Sequence, residues 1–309
     1  MGNLNPLVSA IIPNYNHARY LKQRLDSVFN QTYQNFEVIV LDDCSTDNSL
    51  EVINRYKDNP HLSQIVVNEA NSGSVFKQWD KGINLAKGEL VWIAESDDYC
   101  ELNFLNELVK AFAEKKNVVL ACAQYVFFND EYSYKIKERK TRCYKGKDYI
   151  CNRLIRYCEI RNASGVVFSK EAYSKISKNY LAYCSAGDLQ FWTEILQYGN
   201  CVRVGKNLAY FRQNSSSVTG TNATKGIVSR EDKRVYDYVT TVYHLTTWQN
   251  YMVHLRKARQ YQTHPYDSED IRDEILQLWG LNKGEGFSLL DVFLIWLSGL
   301  LERHFGVLI

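Results

Sequence analysis

Between Leu7 and Phe128, short apolar runs alternate with segments whose apolar residues recur every three or four positions. The runs Leu7–Pro13, Phe36–Asp42, Gln64–Asn68, Leu90–Ala94 and Val118–Phe128 read as strands. Between them, Arg19–Asn30 puts Leu21, Leu25, Val28 and Phe29 on one helical face, and Asp47–Lys57 does the same with Leu50, Ile53 and Tyr56. Regular alternation of this kind implies right-handed crossovers. The expectation is an α/β, Rossmann-like, mostly parallel sheet with helices on both faces.

Beyond Phe128 the pattern loosens. Lys135–Arg161 carries ten Lys or Arg against three acids, interleaved with tyrosines, and leads into a helical pattern near Tyr149–Tyr157. This is either a solvated basic face or a platform for an anionic acceptor such as a lipid diphosphate. Helical patterns return at Lys170–Ser177 and Asp188–Gln197, followed by a strand-like Cys201–Arg212. The loop composition of Gln213–Gly220 marks the edge of a main domain, expected at 1–220, with a helical extension at 221–309. In Phe287–Ile309, Ser288, Asp291, Ser298 and Glu302 form a thin polar stripe on an otherwise apolar helix. Its longest apolar run, Val292–Leu297, is too short to span a bilayer. Such a helix packs on the main domain, forms a homodimer contact, or lies on a membrane surface.

Composition narrows the partners. With 309 residues, 45% hydrophobic and 23% charged, the chain is globular, and a net charge of +2 gives no basis for nucleic-acid binding. The eight cysteines include no CxxC spacing, and several, such as Cys122, lie in apolar strand-like runs, which favours a reducing compartment. The amino terminus lacks a basic region followed by a long apolar core, so no signal peptide is read. A cytoplasmic protein, peripheral at the inner face of the membrane if the last helix lies on it, is expected.

The chemistry concentrates where strands end. Leu90–Ala94 stops abruptly at Glu95, Asp97 and Asp98, and the first and second strands run into PNYN (13–16) and DDCSTD (42–47). Parallel strands present their carboxyl ends together, so three polar loops are expected to converge on one rim, where ligands of open α/β sheets bind. The carboxylates there suit a divalent cation. They would also serve as a solvated turn capping the next helix, and Ser45 and Asp47 as ordinary helix caps.

At this point the sequence resembles family 2 of the glycosyltransferases, the inverting nucleotide-sugar enzymes of the GT-A fold. The matching stretches are VSAIIPNYN, FEVIVLDDCSTD, NSGS with GINLAKGE, WIAESDDY and SAGDLQFW, covering roughly Leu7 to Arg212. The resemblance implies a donor site in which Asp43 accepts the imino hydrogen of a uracil or thymine ring, Tyr15 lies against the base and Pro13 shapes that wall. Asn71 and Gly73 would sit in the loop wrapping the nucleotide. Asp97 and Asp98 would contact the ribose and coordinate Mn²⁺ or Mg²⁺ on the diphosphate. Asp188 matches the general base that deprotonates an acceptor hydroxyl on a glycan or lipid-linked substrate.

Three positions depart from the family pattern. Glu95 stands where Asp is common, Lys77 would replace an arginine contact to the phosphates with a point charge, and Asn214 occupies a place where relatives often carry His. The implied function is a metal-dependent inverting glycosyltransferase, UDP favoured as donor carrier, acting in surface polysaccharide synthesis. The alternative is a non-catalytic nucleotide-sugar-binding module of the same fold. A nucleotidyltransferase would need a glycine-rich phosphate loop after the first strand, which PNYNHARY does not provide.

Overall fold

The computed structural model of the chain describes residues 5–213, 218–281, 288, 290–294, 296–297 and 300. The strands are β1 (Val8–Asn14), β2 (Phe36–Asp42), β3 (Leu62–Val67), β4 (Leu90–Ile93), β5 (Tyr99–Cys100), β6 (Val118–Phe128), β7 (Ser133–Lys135), β8 (Arg142–Tyr144), β9 (Val166–Ser169) and β10 (Asn200–Arg212). The helices are α1 (Ala18–Phe29), α2 (Ser49–Asn54), α3 (Val75–Leu85), α4 (Phe104–Glu114), α5 (Gly146–Tyr149), α6 (Ile155–Tyr157), α7 (Lys170–Tyr173), α8 (Gly187–Ile195), α9 (Val218–Thr224), α10 (Ile227–Tyr243), α11 (Thr247–Thr263) and α12 (Glu269–Leu278).

Two compact units divide these elements. The first comprises Met1–Gly146, Ile160–Ala182 and Gln190–Asn214; the second comprises Lys147–Glu159, Tyr183–Leu189 and Ser215–Ile309. The second unit thus joins two stretches earlier in the chain, Lys147–Glu159 and Tyr183–Leu189, to the C-terminal helices. Side-chain bonds explain the joining: Gln249 of α11 donates to Asn152 at 3.0 Å, and Glu231 of α10 accepts backbone bonds from residues 184–186.

In the first unit the strands form one sheet in the order β3-β2-β1-β4-β9-β6-β10-β5, with β7 on β6 and β8 on β10. The β3-β2-β1-β4 half is parallel, as the fully buried apolar runs of β1, β2 and β4 require. Across the centre the sheet changes character. β9 runs antiparallel to both β4 and β6, while β6 and β10 are parallel to each other. The sheet is thus mixed, with its parallel half carrying the strand ends that form the rim. The four residues of β9 carry no periodicity of their own, and burial between two neighbours makes them a strand.

Helices α1 and α3 present the apolar faces that close the parallel half. α1 buries Leu21, Leu25 and Val28, and α3 lies so close to the sheet that a Cβ at Gly82 would meet Ile11 Cγ2 at 2.3 Å. No helix among the described residues is long and apolar enough to cross a membrane. The 287–309 contact surface expected from the sequence falls mostly outside the described residues, as does Asn214.

Candidate active site

All the rim residues belong to the first unit. β1 and β2 end side by side, Asn14 opposite Asp42, and their loops are laced together. Asn14 Nδ2 donates to Asp42 Oδ1 at 2.8 Å, and Asn16, in the left-handed region at φ 54°, accepts from Thr46 N at 2.7 Å. Asp47 caps the start of α1 by accepting from Ala18 N at 2.9 Å. The third loop joins through His17 Nδ1 and Ser96 Oγ, 2.8 Å apart, and through Trp79 of α3, whose indole N–H donates to Glu95 Oε1 at 2.8 Å. The loops after β1, β2 and β4 therefore meet at one edge, with Tyr15 projecting 46% exposed and Pro13 buried at the end of β1.

Asp43 is buried and organises the loop before α3. Its Oδ1 accepts from Asn68 Nδ2 at 2.6 Å, Ser72 N at 2.9 Å and Gln78 Nε2 at 3.0 Å, and its Oδ2 accepts the Ser72 hydroxyl at 2.7 Å. Asn71 donates to Asp43 O at 3.1 Å and accepts from Gly73 N at 2.8 Å, with Gly73 at φ 68° as only glycine adopts easily. Lys77 is exposed and reaches back to Ser72 O at 3.3 Å. Asn71, Gly73 and Lys77 thus share one loop built around the Asp43 carboxylate.

The acid cluster is held from below by groups that sequence reasoning did not single out. Arg24 is fully buried on α1; its Nε donates to Glu95 O at 2.8 Å and one guanidinium nitrogen to Ser164 Oγ at 3.0 Å. The Ser164 hydroxyl donates to Asp98 Oδ2 at 2.6 Å and accepts from Glu95 N at 3.1 Å, and Asn162 Nδ2 donates to the same Oδ2 at 2.8 Å. Asp98 Oδ1 accepts from Arg212 N at 2.9 Å. The Arg212 side chain lies between the Tyr20 and Phe128 rings and donates through Nε to Asp97 O at 2.8 Å. One readable sign existed: Arg24 interrupts the apolar stripe of Leu21, Leu25 and Val28.

Asp98 is the most heavily bonded acid of the cluster. Its side chain is entirely buried, carries three donors and lies 3.9 Å from the Arg24 guanidinium. Such a carboxylate braces the loop. Asp97 and Glu95 keep partial exposure. Burial, and next the charge of Asp97, pushes the Glu95 carboxyl up to about 8; the same two causes push Asp98 upward, with Arg24 pulling it back.

The carboxylate oxygens at this rim are the donor type that Mn²⁺ or Mg²⁺ takes. No cluster of three or more His, Cys, Asp or Glu is placed to enclose a metal among the described residues. A cation shared with a diphosphate needs only one or two carboxylates.

Asp188 belongs to the second unit. It sits in the first turn of α8, where Oδ1 accepts from Leu189 N at 2.7 Å. Burial outweighs that bond, and Asp232 and Glu231 add like charge, so its carboxyl is pushed up to about 7.

The sequence matches the family Glycosyl transferase family 2 over residues 9–176, more than half of the chain. The chain belongs to this family. It is 35% identical over 112 residues to glycosyltransferase GlyG of Streptococcus pneumoniae serotype 4 (strain ATCC BAA-334 / TIGR4), a match covering 36% of this chain and 37% of that protein. Matched segments span less than half the length of curated relatives such as this one and the Pasteurella multocida hyaluronan synthase, at 12%.

Among solved structures, S. aureus TarS 1-349 in complex with UDP-GlcNAc superposes with a TM-score of 0.66 at 18% identity, covering 96% of this chain and 81% of that one. The mannosyltransferase PcManGT from Pyrobaculum calidifontis, in complex with GDP-Man and Mn²⁺, gives 0.56 at 16% identity, covering 97% and 81%. At these identities the likeness establishes the GT-A type of fold and its C-terminal helices.

Proposed function

We propose that the protein is a metal-dependent, inverting glycosyltransferase that moves a sugar from UDP to a hydroxyl of a glycan or lipid-linked acceptor in surface polysaccharide synthesis. The observation that carries this reading is the joining of the three strand-end loops at one rim around Asp43, Glu95 and Asp97. Asp43 Oδ2, the less heavily bonded of its two oxygens, accepts the Ser72 hydroxyl and retains capacity for the imino N–H of uracil. Tyr15, on the exposed rim, offers a face to the base, and Lys77 offers positive charge to the phosphates. The UDP-GlcNAc and Mn²⁺ complexes of proteins with this fold support a nucleotide-sugar donor held with a cation.

Asp97 is the residue that would hold Mn²⁺ or Mg²⁺ against the diphosphate, with Glu95 directed to the ribose. When bound, the cation neutralises the charge that gathers on the departing nucleoside diphosphate. Asp188 takes the proton of the acceptor hydroxyl. The acceptor oxygen bonds to the anomeric carbon from the side opposite the sugar–phosphate bond, which breaks with its electron pair on the diphosphate and inverts the centre. Exposed Leu290, Phe293 and Trp296 support contact of the chain around them with the inner face of a membrane or a second copy.

The test is UDP release with and without acceptor in wild type and Asp188→Asn. The variant retains UDP affinity and loses transfer by about 10²-fold or more. Transfer at the wild-type rate would remove Asp188 from the mechanism, and a wild type that binds UDP-sugars without any turnover would favour a binding module.

A further inference from the structure

Immediately before the helix that carries Asp188, three successive backbone N–H groups converge on one side chain. Glu231 Oε1 accepts from Cys184 N at 2.7 Å, and Oε2 accepts from Ser185 N and Ala186 N at 2.8 Å each. Glu231 lies on α10, is buried, and belongs to the same compact unit as residues 183–189. A second tie comes from α9, where Asn222 Nδ2 donates to Ser185 Oγ at 2.7 Å. Adjacent Asp232 is secured in turn by α11, through the Tyr261 hydroxyl at 2.5 Å and through Lys257.

Consecutive N–H groups aimed at one point form an anion-binding nest, and such a turn relaxes when its anion is removed. The nest here holds the chain two residues before Asp188. A carboxylate meets all three donors at once. A glutamine at the same place would present an NH₂ to one set of them.

We infer that Glu231 is a positioning residue for Asp188, its carboxylate fixing the entry into α8 and with it the direction in which the Asp188 carboxyl is presented. The C-terminal helices are therefore part of the transfer machinery as well as an appendage. This inference rests on the reading of Asp188 as the general base. Displacing a reacting group by about 1 Å costs on the order of 10²-fold in rate, so the effect falls on turnover while donor binding is spared. The charges facing Asp188 from α10 are Glu231 and Asp232, the latter held by Lys257 and Tyr261 of α11. Removing one of those two charges moves the acid limb of the pH–rate profile to lower pH.

The experiment compares full-length wild type, Glu231→Gln, Glu231→Asp and Asp188→Asn. For each, kcat with acceptor, Kd for UDP with Mn²⁺, and the pH profile of kcat are measured. The expected result for Glu231→Gln is a kcat about 10–100-fold down, UDP affinity within about twofold of wild type, and an acid limb shifted downward. Glu231→Asp keeps the charge and recovers part of the rate. Should Glu231→Gln fail to fold, Asn222→Ala, which removes only the second tie, shows a smaller loss with the same split between kcat and Kd.

Wild-type kcat and an unmoved acid limb in the variants overturn the inference. So does a loss of rate matched by an equal loss of UDP affinity. Wild-type transfer by Asp188→Asn instead overturns the general-base reading, and the two failures are distinguishable.

Discussion

Replacing Asp98 by Asn tests whether the acid cluster is braced from beneath. In the wild type, one Asp98 oxygen receives Arg212 N and the other receives both Ser164 Oγ and Asn162 Nδ2. An amide has one acceptor oxygen, so either orientation turns its NH₂ against a donor. The buried Arg24 guanidinium, 3.9 Å away, simultaneously loses its counter-charge. Leaving a buried donor without its acceptor costs about 1–3 kcal/mol, and the upward push that burial and Asp97 exert on the Asp98 carboxyl offsets the lost counter-charge at Arg24.

At roughly 2–4 °C per kcal/mol for a domain of this size, the melting temperature falls by about 2–12 °C. Circular-dichroism melts without nucleotide or metal measure the shift directly. Asp97→Asn, at a partly exposed position, shifts the melt by at most about 1 kcal/mol. The double variant Asp98→Asn with Arg24→Met loses less than the sum of the single changes, because an apolar side chain of similar size leaves no buried charge behind. An Asp98→Asn protein melting at or above the wild-type temperature would refute the brace.

Three other outcomes follow from the exposed and titrating positions. Tyr15→Ala leaves the melt unchanged and raises Kd for UDP by about 5–150-fold, the worth of one base–aromatic stack at about 1–3 kcal/mol, measured by calorimetry. Because the Asp188 carboxyl stands at about 7, its working ionised form predominates only above that pH, and kcat rises about tenfold between pH 6 and pH 8. The sign for stability is opposite. A raised carboxyl makes the folded state bind the extra proton, so its stabilising effect is complete below the ordinary value of 3.8 and is lost as pH climbs through about 7. Asp188→Asn therefore melts higher than wild type at pH 8, and the gain shrinks as pH falls, disappearing only below about 3.8.

Much of the first unit was legible because periodicity and burial agree there. The runs at Phe36–Asp42 and Val118–Phe128 are the strands β2 and β6, and the stripe Leu21, Leu25, Val28 is the buried face of α1. The antiparallel β9 was not legible, since four residues acquire their state from β4 and β6 on either side. The meeting of the three loops followed from the shared direction of the parallel strands. The division of labour among the carboxylates did not, because it depends on Ser164 and Arg212, which lie 66 and 114 residues from Asp98 in the chain. Likewise, nothing local to SAGDLQFW announces Glu231, 45 residues downstream of Ala186.

The most direct test of the donor site is the stabilisation of wild type and Asp97→Asn by UDP, with and without Mn²⁺. A ligand at 100 times its Kd stabilises the folded state by about 2.7 kcal/mol, well above the resolution of a thermal-shift assay. Wild type is expected to gain this stabilisation only when nucleotide and cation are present together, and Asp97→Asn is expected to lose the cation-dependent part. Equal stabilisation of both proteins, with or without Mn²⁺, would contradict the claim that this rim grips a nucleotide sugar through a metal at Asp97.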